Sequence, residues 1–153
     1  MGLDMYLEAR KFVSSYSDGQ QYQDIIANAG FRTGDLPHST YATISIEAMY
    51  WRKANQIHDW FVRNVQDGED NCRTYYVSRE QLQELLDTCE KVLTARDEEV
   101  SRELLPTATG FFFGSSEFDE YYYEALEETV EGLTKILKNP AFNGMDFHYS
   151  SSW

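Results

Sequence analysis

The sequence predicts an α+β domain in which a small, mainly antiparallel sheet packs against three principal helices. Three observations point to it. Apolar and polar residues alternate at the start of the chain, again near residue 45, and once more at its end. Three intervening segments instead repeat apolar residues at helical spacing. A chain of 153 residues, 42% hydrophobic and 25% charged, has material for one core, so residues 1–153 are read as a single globular domain.

Leu3, Met5, Leu7 and Ala9 alternate with Asp4, Tyr6, Glu8 and Arg10, which predicts a strand over residues 2–13 with one face on the core. Residues 14–40 are irregular, with a short helix at 22–29 stopped by Gly30. Ala42, Ile44, Ile46 and Ala48 alternate with Thr43, Ser45 and Glu47 as a second strand. A helix over about 49–65 would gather Trp51, Ala54, Ile57, His58, Phe61, Val62 and Val65 in one sector and turn Arg52, Gln56, Asp59 and Arg63 away, with Lys53 and Trp60 beside them. QDGEDN at 66–71 reads as a turn, and Tyr75–Val77 as a short strand. Ser78 with Gln81 forms a capping box for a helix reaching about residue 95, whose Leu82, Leu85, Leu86, Cys89, Val92 and Leu93 share a narrow arc. Residues 96–109 are charged and then broken at Pro106. Gly110–Gly114, with Phe111, Phe112 and Phe113 between the glycines, suits a short strand or close-packed loop. The last helix, 117–137, sets Tyr122, Leu126, Val130, Leu133 and Leu137 against Glu120, Glu124, Glu127 and Glu131 and stops before Pro140. Phe147, Tyr149 and Trp153 suggest a final strand.

Charge narrows the function classes. The net charge is −13; residues 1–65 hold seven acids and six bases, whereas residues 66–153 hold nineteen acids and seven bases. This balance opposes nucleic acid and anionic lipid, both of which recruit Lys and Arg. A small anion would need a local basic pocket in the first half. No apolar run approaches a membrane span, and MGLDMYLEARK lacks the basic start and apolar stretch of a secretory signal, so a cytoplasmic setting is expected. Two cysteines, with Cys89 on an apolar helix face, fit reduced thiols. HExxH, CxxC, GxSxG and GxxxxGK[ST] are all absent, so no metal, cofactor or catalytic residue is assigned.

The informative excess is aromatic. Phe, Tyr and Trp make up 15% of the chain, more than a core this small requires unless some rings line a pocket or contact surface. Among Tyr121, Tyr122 and Tyr123, spaced 100° apart, Tyr121 points outward. YWRKANQIHDWF at 50–61 suits a base stacked on a ring with a cation on phosphate, but one helix cannot aim Trp51, His58, Arg52 and Lys53 at one ligand. His58 reads as a core histidine or as a pocket wall. Trp60, opposite the apolar arc, reads as a second packing surface or an oligomer contact. The acidic stripe of the last helix is a solvated face or a mimic of a nucleic-acid backbone.

MGLDMYL at the start, YWRKANQIHDWFV at 50–62, YYVSREQL at 75–82 and LPTATGFFFGSSEFDEYYYE at 105–124 resemble a family of small proteins of bacteriophages and prophage-bearing bacteria, over nearly the whole chain. Some members carry a phosphoglycerate kinase label, which this chain is too short to merit. The resemblance implies an accessory phage protein of the infected host cell; joined to the aromatic excess and the scarce cations, it makes a non-enzymatic protein that sequesters a nucleotide-derived immune signal the leading expectation. Arg10, Lys11, Trp51, Arg52, Lys53, His58, Phe111, Phe112, Phe113 and Tyr121 would then be its ligand-binding residues. The alternative is an acidic inhibitor that occludes a basic host protein. A homo-oligomer is expected in either case.

Overall fold

A computed structural model describes residues 2–110 and 112–153. The opening alternation becomes β1 (Asp4–Ser14), with Met5, Leu7, Ala9 and Val13 buried and Asp4, Tyr6, Glu8, Arg10 and Phe12 on the other face. β1 pairs antiparallel with β2 (Tyr41–Arg52) on one side and with β4 (Asp146–Ser152) on the other. β3 (Tyr75–Val77) adds to β4, so the sheet order is β2-β1-β4-β3. The protein is therefore α+β with an antiparallel sheet, as its patterning predicts.

Helices cover one face of this sheet. α2 (Asn55–Asn64), α3 (Arg79–Ala95) and α5 (Glu120–Lys138) are the three principal ones. They bury Ile57, Phe61, Leu82, Leu85, Leu126 and Leu133 against Leu3, Met5, Leu7, Phe147 and Tyr149. The capping box closes as its spacing requires: Gln81 N–H donates to Ser78 Oγ at 3.0 Å, and Ser78 N–H to Gln81 Oε1 at 2.9 Å. α1 (Gly19–Asn28) sits apart over the far end of β1 and β2, where Tyr22 and Ile26 join Val13 in a small second cluster. The tail does form a strand.

Three sequence expectations need correction. Residues 49–52 are not the start of a helix but the end of β2, because β1 still offers them a ladder: Met5 faces Trp51 and Asp4 faces Arg52. Leu7 faces Met49 and Glu8 faces Glu47, so Ala48 is an extra residue, a β-bulge. It moves the core-facing set from even positions (42, 44, 46) to odd ones (49, 51), and this change of phase is what imitates a helical period. Secondly, of the two readings of Trp60 the oligomer contact falls and the second packing surface stands: it is only 4% exposed, lies in the core and packs edge-on against Phe61. Thirdly, the charged stretch after residue 95 contains α4 (Glu98–Leu104), which Asp97 caps by accepting from the Glu99 and Val100 N–H groups. Phe111 lies outside the described residues.

Among the described residues no helix is long and apolar enough to cross a membrane, and no cluster of His, Cys, Asp or Glu is arranged to hold a metal ion. Both cysteines are free, Cys72 exposed and Cys89 buried. Burial, helped by the neighbouring Glu90 charge, pushes the Cys89 thiol up to about 12. Iodoacetamide at pH 8 should therefore add one label to the folded protein and two after denaturation, with peptide mass mapping placing the first on Cys72. Rapid native labelling of Cys89 would show its helix face to be open.

Candidate ligand-binding cleft

The cleft is built where β2 turns into α2. Lys53 adopts a left-handed backbone (φ 56°) and its N–H donates to Leu3 O at 2.8 Å, which ends the strand. Helix α2 then starts at Ala54 without a side-chain cap. Asn55 N–H bonds Lys53 O, and the Ile57 and His58 N–H groups share Ala54 O, leaving the Gln56 N–H with no protein acceptor among the described residues.

The loop between α4 and α5 is fastened across this junction by one buried amide. Asn55 Nδ2 donates to Phe113 O and Ser115 O, both at 2.9 Å, while its Oδ1 accepts from Ala108 N–H at 3.0 Å. The approach is close enough to require glycine at 114: its φ is +90°, and a Cβ there would sit 3.2 Å from Lys53 Cβ. Asp119 caps α5 by accepting from Tyr122 N–H at 3.1 Å, and Gln56 Nε2 donates to Tyr122 O, tying α5 to α2.

Between these pieces lies a cleft of about 550 Å³. Arg52, Lys53, Asn55 and Gln56 line one side, and Glu117, Asp119, Tyr121, Glu124 and Glu128 the other. Its polarity is split, with two cations facing four carboxylates. Tyr121 is 78% exposed, and its ring is free to stack on a ligand. Behind it Tyr122 is buried; burial raises its phenol well above the usual range, and its O–H donates to Leu105 O at 2.8 Å.

Of the residues singled out from sequence, Arg52, Lys53 and Tyr121 meet in this cleft. The others do not. Trp51 is buried, donating from Nε1 to Thr129 Oγ1 at 2.9 Å with Phe61 at its edge. Arg10 is held on the outer sheet face by Glu8 at 2.8 Å, about 20 Å along β1 from Asp4, the strand partner of Arg52. Lys11 donates to Gln21 beside α1 at 3.2 Å.

His58 and Phe113 belong to a different arrangement. His58 is 1% exposed, with Nδ1 2.7 Å from Tyr149 Oη and Nε2 2.9 Å from Asp70 Oδ2. Nε2–H donates to the carboxylate and the phenol O–H donates to Nδ1, so both ring nitrogens are satisfied. Trp153 Nε1 donates to the other Asp70 oxygen at 3.0 Å, pinning the chain end. Phe113 meets the imidazole edge-on. Tyr149 is wholly buried and stacked on Phe61 at 3.8 Å, out of reach of any substrate, so this chain of bonds is structural. A smaller hollow of about 330 Å³ beside it carries Phe112 and Trp153.

Asn55, Gln56 and Gly114 are the cleft-building residues that sequence reasoning misses. Only the glycine leaves a trace, as one end of the Gly110–Gly114 pair. Asn55→Ala removes three bonds at about 1 kcal/mol each, so urea unfolding should show a loss of roughly 3 kcal/mol and proteolysis should open residues 108–115 first. Tyr149→Phe leaves His58 Nδ1 buried without a donor and should cost about 1–3 kcal/mol in the same assay. No protein-family model, curated protein or solved structure matches this chain.

Proposed function

We propose that the protein is a non-enzymatic bacteriophage accessory protein that sequesters a small nucleotide-derived host immune signal in the cleft between β2, α2 and α5. One observation carries this reading: the adjacent cations Arg52 and Lys53 at the end of β2 and the exposed ring of Tyr121 on α5 line the same cleft. The uncapped start of α2 adds a Gln56 N–H beside the two cations, which suits a phosphate oxygen. Tyr121 supplies a stacking surface for a base. The facing carboxylates narrow the ligand, since Glu117, Asp119, Glu124 and Glu128 accept from amino and hydroxyl groups but repel further phosphates. A ligand with few charges fits better than a polyphosphate.

A second reading, occlusion of a basic host protein, draws on α5. Glu120, Glu124 and Glu128 are exposed and have no ion pair among the described residues. Glu127 and Glu131 are already engaged by Arg96 and Lys135, which reduces the stripe available to a partner.

A thermal-shift screen of cyclic dinucleotides and ADP-ribose derivatives separates the two. A ligand at 100 times its dissociation constant adds about 2.7 kcal/mol of stability, and Tyr121→Ala should weaken it by roughly 1–3 kcal/mol of lost stacking. Arg52→Ala should weaken binding and reduce its salt dependence. No shift across the panel, with salt-sensitive capture of a basic host protein, would replace the first reading by the second.

A further inference from the structure

The hollow of about 330 Å³ beside His58 shares no lining residue with the cleft between β2, α2 and α5. Phe112, Phe113, Trp153, Asp70, Thr109 and Gly110 line it. Phe113 and Trp153 stand at 66° with ring centroids 6.1 Å apart, so they make two adjoining aromatic walls. Gly110 brings loop backbone up to the Phe113 ring with no side chain between, since a Cβ there would fall 2.7 Å from the ring. The space is at the small end of ligand pockets and suits a compact guest.

Charge selects the guest. Asp70 is the only ionised side chain in this lining among the described residues. Its oxygens accept from His58 Nε2–H at 2.9 Å and from Trp153 Nε1–H at 3.0 Å. Both donors are neutral, so they fix the carboxylate in place without cancelling its charge. No Lys or Arg forms an ion pair with it among the described residues. The turn that carries Asp70, residues 66–71, adds Asp67 and Glu69 and no base. A fixed, uncompensated carboxylate beside aromatic rings draws a cation twice over, by its own charge and through the ring quadrupoles.

The supply of acceptors decides which cation. A primary ammonium brings three N–H donors and a guanidinium five, all of which need partners once they leave water. Besides Asp70, whose two oxygens are each engaged once already, Thr109 is the only polar side chain in the lining among the described residues. A fully alkylated ammonium has no donor to satisfy, and its methyl groups pack against rings. We propose that this hollow is a second ligand site, which takes a small quaternary ammonium ion with its methyl groups against Phe112, Phe113 and Trp153 and its charge facing Asp70.

Trp153 reports on the site directly, because it is 53% exposed whereas Trp51 and Trp60 are at most 4% exposed. Titration of the intact chain with choline chloride, against sodium chloride at matched ionic strength, should give a saturable change in tryptophan emission. The uncharged analogue with carbon in place of the choline nitrogen should give none over the same micromolar to millimolar range. Ethanolamine, which carries N–H donors instead of methyl groups, should bind more weakly than choline. Asp70→Asn should weaken choline binding by about ten-fold or more. Phe112→Leu keeps apolar bulk while removing a π-face, and should weaken it by roughly two- to five-fold with unchanged circular dichroism. The absence of any saturable change with choline overturns the inference. So does an equal response to ethanolamine or to the uncharged analogue, and so does choline binding that both variants leave intact.

Discussion

The constraint on which the rest depends is that β1 holds β2 in register to its last residue. One inserted residue, Ala48, changes which side chains face inward, so that Met49 and Trp51 reach the core while Arg52 stays at the sheet end. From there the chain has one residue, Lys53, in which to reverse before α2 begins, and the left-handed backbone at that position accomplishes it. The cationic side of the cleft is thus a by-product of strand pairing. Gly132 on α5 leaves room for this packing: a Cβ there would lie 2.7 Å from Met49 Sδ, so a larger residue would make the Met49 side chain shift.

Polar groups, rather than apolar ones, decide how the remaining pieces are joined. Asn55, Gln56 and His58 all lie on α2 and all are buried. Each is paired outside its own helix, with the loop before α5, with α5 itself, and with β4 and the turn after α2. A buried amide or imidazole left unpaired is costly, so these contacts penalise alternative packings more than they add net stability.

The sequence was legible where one physical signal acted alone. The amphipathic arc of α3, its capping box, the outward Tyr121 and the alternation of β1 all appear as read. It was misleading where two signals overlapped. A bulged strand followed within two residues by a helix reads as one long helix, since the phase change at Ala48 satisfies both periods for a turn. Trp60 seemed surplus only because α2 was taken to have a solvated side, whereas the helix is enclosed on nearly every side. The aromatic excess itself divides between interior and surface: Trp51, Trp60, Phe61, Phe147 and Tyr149 fill the core, while Tyr41, Tyr50, Tyr76, Tyr121 and Trp153 remain exposed. Of the cleft, the cations and the outer ring could be read, but the amides that fix its walls could not, because nothing local distinguishes a buried Asn from a solvated one.

The position of β4 bears on how the molecule is made. Among the strands β1 comes first in the chain, yet its second neighbour, β4, comes last. Until Asp146–Ser152 emerges, nascent β1 has a vacant flank and β3 has no partner at all. Pairings this distant in sequence form slowly and leave strand edges bare in the meantime. β4 is therefore the keystone, and a chain that lacks it cannot close its own sheet.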